Sequence, residues 1–219
     1  MQVGIKKWST EVLATQALRL GLALALALPA SSAYSASKSI LVLGDSLSAE
    51  YGLPRGAGWV ALLQQKLEQE KIDATLINAS ISGETTSGGA TRLPELLKQH
   101  PAAIVVIELG ANDGLRGLSL KAAETNLKTM IDAAQKAHAK VVLVGMQLPP
   151  NYGPEYTDRF AAMFGKLAKE NKTALVPFLL NGIADKPQLF QGDNLHPIAK
   201  AEPALADNVW LALKPLLAK

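Results

Sequence analysis

The sequence lacks cysteine entirely, since none of its 219 residues is a Cys. This absence excludes a disulfide framework, a cysteine nucleophile, cysteine-based metal sites and a lipid anchor attached through cysteine. The sequence also has little net charge, because 22 Lys and Arg residues and 19 Asp and Glu residues give a formal net charge of +3. A surface that binds nucleic acid needs a clear basic excess, so this balance predicts no nucleic acid partner.

The sequence also lacks an apolar run long enough to span a bilayer, which takes about 20 residues. A shorter Leu- and Ala-rich run at 20–30 follows Lys6 and Lys7 and precedes a stretch of small residues. This order is typical of a secretory signal peptide, whereas a membrane anchor or a buried helix would not need the small residues. We predict that residues 1–36 are a signal peptide cleaved at 33–36. The mature protein would then be periplasmic or secreted, with no stable membrane anchor.

The remaining residues, 37–219, have the size of one domain and show an alternating pattern. Short runs rich in β-branched residues predict strands at 39–43, 74–77, 103–109, 141–145 and 174–178. Amphipathic spacing predicts helices at 59–69, 90–99, 120–137, 156–170 and 203–213. This alternation predicts a three-layer α/β fold, a flavodoxin-like doubly wound sheet of five parallel strands. Right-handed crossovers then place every strand-to-helix loop at the carboxyl edge, where such sheets bind ligands.

Three residues in these loops predict nucleophilic catalysis. Ser46 follows the first strand within Gly-Asp-Ser-Leu-Ser, and His196 follows the fifth strand within Asp-Asn-Leu-His. Asp193 lies in a loop three residues before His196 and can hold the imidazole tautomer that accepts the serine proton. We therefore predict Ser46 as nucleophile, His196 as base and Asp193 as its orienting carboxylate. The alternatives are a helix-capping role for Ser46 and an ordinary surface turn for the other two.

The other two histidines are predicted to lie away from this site. His100 and His138 each stand at the end of a helix and just before a strand, which is the opposite edge of the sheet. A histidine at a helix C-terminus interacts favourably with the helix dipole, so both have a sufficient structural role.

Hydrolysis of an acyl bond also needs donors for the oxyanion of the tetrahedral intermediate. Gly83 follows the second strand and lets the backbone approach a ligand closely, and Asn112 follows the third strand with a neutral amide. Together with the backbone N–H of Ser46 they form a predicted oxyanion hole. The alternatives are a turn glycine and an Asx turn.

These segments resemble the four sequence blocks of the SGNH (GDSL) hydrolases. The matching segments are Gly-Asp-Ser-Leu-Ser at 44–48, Ser-Gly-Glu-Thr-Thr at 82–86, Glu-Leu-Gly-Ala-Asn-Asp-Gly at 108–114 and Asp-Asn-Leu-His-Pro at 193–197. Within that family the chain is similar to the bacterial periplasmic group of acyl-CoA thioesterases, lysophospholipases and arylesterases. The resemblance implies the same catalytic residues, Ser46, Asp193 and His196, and the same oxyanion hole. It further implies hydrolysis of acyl esters and thioesters through an acyl-enzyme on Ser46.

No cofactor is expected. The segment 56–61 fits the loose dinucleotide-binding pattern but lies far from its strand, and 83–88 lacks the Lys and Ser/Thr of a phosphate-binding loop. The histidines and carboxylates show no spacing suited to a metal. We expect a monomer acting on a small acyl ester, thioester or lysophospholipid. A carbohydrate O-acetylesterase using the same residues and a non-catalytic periplasmic ligand-binding module stay open as alternatives.

Two further predictions concern the surroundings of the site. Leu115, Leu118, Leu148 and Tyr152 lie in the loops after the third and fourth strands, and we predict that they line an acyl groove. Ordinary loop packing is the alternative. Glu108 is a carboxylate inside an apolar strand, so burial should oblige it to hydrogen-bond to the site loops.

Overall fold

The computed structural model describes Met1 and residues 38–218. The predicted signal peptide and its cleavage site lie outside these residues and stay predictions. Within the part of the chain that is described, no helix is long and apolar enough to cross a membrane.

A sheet of five parallel strands forms the centre of the fold. The strands are β1 Lys38–Gly44, β2 Ala74–Asn78, β3 Ile104–Glu108, β4 Lys140–Val144 and β5 Ala174–Val176. Their order is β2-β1-β3-β4-β5, with β1 paired to both β2 and β3. This is the flavodoxin-like order, and the predicted fold class is confirmed. The strand β2 lies on one side of β1, whereas β3, β4 and β5 lie on the other side. The loops after β1 and β3 therefore lead to opposite faces of the sheet and leave a crevice between them.

Among the described residues, six α-helices connect or follow the strands. They are α1 Trp59–Gln69, α2 Thr86–Gln99, α3 Ala111–Leu115, α4 Leu120–Lys136, α5 Pro154–Asn171 and α6 Glu202–Leu217. Side chains of α1 and α6 pack on one face of the sheet, and those of α2, α4 and α5 pack on the other. Because both faces are covered, the strands read as continuous apolar runs. Alternate residues of β1 enter the two cores, Ile40 and Val42 one, Leu41 and Leu43 the other.

Element boundaries differ from the sequence prediction in several places. Helix α2 begins at Thr86 rather than residue 90, because the Thr85 side chain accepts the Gly88 N–H and caps it. Strand β5 ends at Val176, two residues earlier than predicted. The short helix α3 was not predicted at all, and it holds both Asn112 and Leu115.

Candidate active site

The carboxyl edge of the sheet brings the predicted site residues together. Ser46 follows β1, Gly83 follows β2, Asn112 lies in α3 after β3, and His196 precedes α6. All four line one cavity of about 700 Å³. His100 and His138 instead precede β3 and β4 and lie at the opposite edge, as predicted.

Ser46, His196 and Asp193 form a continuous hydrogen-bonded chain. The Ser46 Oγ lies 2.8 Å from His196 Nε2, and His196 Nδ1 lies 2.6 Å from Asp193 Oδ2. The other carboxylate oxygen of Asp193 accepts the backbone N–H groups of Leu195 and His196 at 2.9 and 3.0 Å. Burial raises the pKa of Asp193, but these hydrogen bonds outweigh it and lower the pKa to about 2. Asp193 is therefore ionised at neutral pH and fixes the imidazole so that Nε2 faces the serine.

The loop that carries Ser46 is shaped by Asp45. The Asp45 Oδ1 accepts the Leu47 N–H at 3.0 Å, which is an Asx turn, and the Ala49 N–H donates to the Asp45 carbonyl at 2.9 Å. The Tyr51 N–H donates to the Ser46 carbonyl at 3.2 Å. The turn thus fixes the backbone on both sides of Ser46.

Two backbone N–H groups of the predicted oxyanion hole have no partner among the described residues. They belong to Ser46 and Gly83, and Gly83 takes φ +80°, a conformation that disfavours other residues. The Asn112 amide is different, because its Nδ2 donates to Asp45 Oδ2 and to the Glu84 carbonyl, both at 3.0 Å. Asn112 can therefore reach an oxyanion only by sharing one of these hydrogens or releasing a partner.

A pair of buried carboxyl groups stands directly behind this arrangement. Glu108, at the end of β3, accepts the Ser48 hydroxyl at 2.6 Å and the Asp45 N–H at 3.3 Å through Oε2. Burial raises the pKa of Asp45 to about 6. Burial, and then the charge of Asp45, raise the pKa of Glu108 well above its usual range. Glu108 hydrogen-bonds to the loop that carries Ser46, as predicted.

Sequence reasoning missed two residues that join the serine loop to the histidine loop. The Tyr51 ring lies 4.4 Å from the His196 ring, centroid to centroid, at an angle of 39°. Gln191 donates its backbone N–H to the His196 carbonyl at 2.7 Å, and its Nε2 to the carbonyls of Tyr51 and Pro197 at 2.9 and 3.0 Å. Their positions near the two motifs were the available signal, but only the folded arrangement shows the contacts.

The cavity has an apolar lining that differs from the predicted groove. Leu115 and Leu148 line it, whereas Leu118 and Tyr152 do not, and the acyl groove itself stays a prediction. Leu118 lies beyond the end of α3 and is exposed, and Tyr152 turns its hydroxyl to the Leu115 carbonyl at 2.9 Å. Apolar lining residues that the prediction omitted include Met146, Phe178, Leu180, Ala184 and Phe190.

The segment with the dinucleotide-like pattern does not present free amides. The N–H groups of Gly56 and Gly58 both donate to the Glu50 carboxylate, at distances of 3.0 to 3.1 Å. An anionic side chain thus occupies the place that a phosphate would need. Over the described ranges, no group of three or more His, Asp or Glu side chains could hold a metal ion.

Known proteins are similar to this chain in sequence and in fold. The model of the GDSL-like Lipase/Acylhydrolase family matches residues 42–202. Esterase TesA of Pseudomonas aeruginosa is 50% identical over 88% of this chain and 96% of that protein. Thioesterase 1/protease 1/lysophospholipase L1 of Escherichia coli K12 is 43% identical over 84% of this chain and 86% of that protein.

A solved structure agrees with these sequence matches. The psychrotrophic esterase EstA from Pseudoalteromonas, in a crystal structure inhibited by monoethylphosphonate, superimposes with a TM-score of 0.79 at 45% identity. The match covers 83% of this chain and all of that one. The chain therefore belongs to the GDSL-like lipase/acylhydrolase family of esterases and thioesterases, as its four motifs predicted.

Proposed function

We propose that this protein cleaves small acyl esters and thioesters, including lysophospholipids, through an acyl-enzyme on Ser46. The observation that carries the proposal is the chain from Ser46 Oγ through His196 to Asp193, at the wall of a cavity with an apolar lining. A nucleophile, a base and an orienting carboxylate in hydrogen-bond contact form the arrangement that acyl transfer requires.

The reaction then follows from the positions of these groups. Ser46 Oγ attacks the acyl carbonyl while His196 Nε2 takes the serine proton, and the ionised Asp193 stabilises the imidazolium that forms. The oxyanion lies against the N–H groups of Ser46 and Gly83, with Asn112 as a third donor. His196 returns its proton to the leaving alcohol or thiol. Water, deprotonated by His196, then attacks the acyl-enzyme and releases the acid.

The cavity lining favours an acyl chain over a sugar as the group bound beside Ser46. Its apolar side chains come from α3 and from the loops after β4 and β5, and they offer burial to methylene groups. A carbohydrate O-acetylesterase would instead need polar groups to hold the sugar hydroxyls. Acetyl and decanoyl esters of p-nitrophenol separate the two, because an acyl cavity predicts a higher kcat/KM for the longer chain.

We further propose that the protein is exported and acts as a monomer without a membrane anchor. The basic, apolar and small-residue order of residues 1–36 supports export and cleavage of the leader. N-terminal sequencing of the protein recovered from a periplasmic fraction should start between residues 34 and 37. Recovery of the intact N-terminus in the membrane fraction would contradict export.

Labelling with a fluorophosphonate tests the nucleophile, since phosphonates attach to activated serines and a phosphonate inhibits EstA. We expect one label, on Ser46, and a loss of kcat of about 10⁴-fold or more in Ser46→Ala and His196→Ala. Matched controls are Ser87→Ala and His100→Ala, which lie away from the cavity and should keep their activity. A label on another serine, or an active Ser46→Ala protein, would refute the proposal and leave the ligand-binding alternative.

A further inference from the structure

Two carboxyl groups lie side by side behind the nucleophile with no cation to balance them. The Asp45 side chain is 1% exposed and that of Glu108 is 3% exposed. Within the described ranges, neither forms a salt bridge with a Lys or Arg. An uncompensated buried carboxylate is costly, and two in contact cannot both be ionised. At least one of the pair must hold a proton.

The hydrogen bonds indicate which one. Both oxygens of Asp45 already accept donors, Oδ1 from the Leu47 N–H and Oδ2 from the Asn112 amide, each at 3.0 Å. Glu108 accepts its two donors through Oε2 alone. Each carboxyl group also shifts the pKa of the other, and the charge of Asp45 raises that of Glu108. Asp45 is therefore the carboxylate, and Glu108 is the acid that faces it.

The surrounding backbone is built to admit this pair. A Cβ placed on Gly44 would lie 2.8 Å from Glu108 Oε2, and it would also collide with the Ser48 hydroxyl. Glycine at the first position of the Gly-Asp-Ser motif therefore leaves room for the Glu108 carboxyl. The hydroxyl of Ser48, which is 1% exposed, has Glu108 as its acceptor. The pair is thus part of the nucleophile loop and not an isolated pair of core residues.

We propose that Asp45 and protonated Glu108 are positioning residues, a proton-sharing pair that holds the Asn112 amide at the oxyanion site and works only while Glu108 keeps its proton. The inference rests on the proposed function. Asp45 contacts Asn112 directly, and Glu108 acts on Asn112 through Asp45. Neither carboxyl is assigned a covalent or proton-transfer step in the reaction.

Loss of the Glu108 proton would impair catalysis in a specific way. It would place two negative charges behind Asn112, where the charge of the oxyanion also develops. The charged groups that act on the pair are the two carboxyls themselves and His196. Repulsion between the two carboxylates would weaken the hydrogen bond between Asp45 and the Asn112 amide, so kcat should decline at alkaline pH.

The test compares Glu108→Gln with Glu108→Ala. Gln cannot ionise, but its amide can still donate to Asp45 and its carbonyl can still accept from Ser48. We expect Glu108→Gln to keep kcat within about threefold at neutral pH, and Glu108→Ala to lose about tenfold or more with little change in KM. As the pH rises above neutral, kcat of the wild type should decline, and Glu108→Gln should lack that decline.

Glu202→Gln is the matched control, because Glu202 is also a buried carboxyl with a raised pKa but lies outside the cavity lining. It should keep the alkaline decline of the wild type. A double-mutant cycle with Asn112→Ala adds a second measurement, since the effect of Glu108→Ala on kcat should largely disappear when Asn112 is already absent.

Two results would overturn the inference. One is an alkaline decline in Glu108→Gln that matches the wild type, and the other is a full effect of Glu108→Ala in the Asn112→Ala background. Both can occur while Ser46 still takes the phosphonate label, so they are distinct from a failure of the proposed function. If Glu108→Ala does not fold, the pH profile of Glu108→Gln decides alone.

Discussion

Glu202 should make the stability of this protein depend on pH. The side chain is 1% exposed and accepts the backbone N–H of Trp59 at 2.8 Å, so a residue of α6 caps the start of α1. Burial, and to a lesser degree the charge of Glu50, raise its pKa to about 7. The perturbation that tests this is Glu202→Gln, which keeps an oxygen for the Trp59 N–H and cannot ionise.

The direction of the effect follows from where the proton is held. Between the ordinary pKa of 4.5 and about 7, the folded state keeps a proton that the unfolded state has lost. The stability that this proton provides is fully present below about pH 4.5 and is lost as the pH rises through about 7. The difference between the two pKa values corresponds to about 3 kcal/mol of unfolding free energy.

Urea unfolding of the wild type and the variant at several pH values, at constant ionic strength, measures this difference. Glu202→Gln should gain up to about 3 kcal/mol over the wild type at pH 8.5 and little at pH 4.5. Glu68→Gln is an exposed control and should stay within about 0.5 kcal/mol of the wild type at both. A gain for Glu202→Gln that does not change with pH would refute the reasoning, because only titration produces the pH dependence.

Three further predictions concern the site itself. Asn112→Ala should lower kcat by about 10²- to 10³-fold with little change in KM, and an unchanged kcat would remove Asn112 from the oxyanion hole. Gln191→Ala breaks the links to the Tyr51 and Pro197 carbonyls and should lower kcat by about tenfold. A fall in the melting temperature with unchanged kcat would assign Gln191 a purely structural role. Leu115→Ala should reduce kcat/KM for decanoyl esters about tenfold more than for acetyl esters. The control Leu118→Ala, at an exposed residue, should show no such difference. Equal losses for the two esters in Leu115→Ala would rule out a contact between Leu115 and the acyl chain.

The fold and the edge of the sheet that bears the site could be predicted from the sequence for a simple physical reason. Strands buried on both faces are continuous apolar runs, and right-handed crossovers leave no choice about which loops share an edge. That argument alone places Ser46 and His196 at the carboxyl edge of the sheet, and it places His100 and His138 at the opposite edge. It needs no knowledge of side-chain packing.

The lining of the cavity could not be predicted as well, because it depends on local geometry that the sequence pattern does not contain. Helix α3 covers only Ala111–Leu115 and was not predicted. It turns Leu115 to the cavity and leaves Leu118 in solvent. Strand β5 ends at Val176, so Phe178 lies in a loop that lines the cavity rather than in the strand.

Contacts between distant loops were also beyond the sequence. The Gln191 side chain reaches the Tyr51 carbonyl across 140 positions of the chain, and no periodicity or motif predicts that contact. The engagement of Asn112 with Asp45 likewise depends on how the loops after β1 and β3 meet. The motifs predicted which residues are present, but not which of them are already hydrogen-bonded to each other.

The long sequence separation between Ser46 and His196 affects when the enzyme becomes active during synthesis. Ser46 lies on the loop after β1, the first strand of the chain, and its histidine partner lies 150 residues later. A nascent chain that has emerged only as far as β4 has a nucleophile without a base. Closing so long a loop is among the slower steps of folding, because its entropy is lost before any contact compensates. An unfinished or unfolded chain therefore does not hydrolyse the esters around it. Hydrolytic activity appears only after the loop that carries His196 has packed against the Ser46 loop.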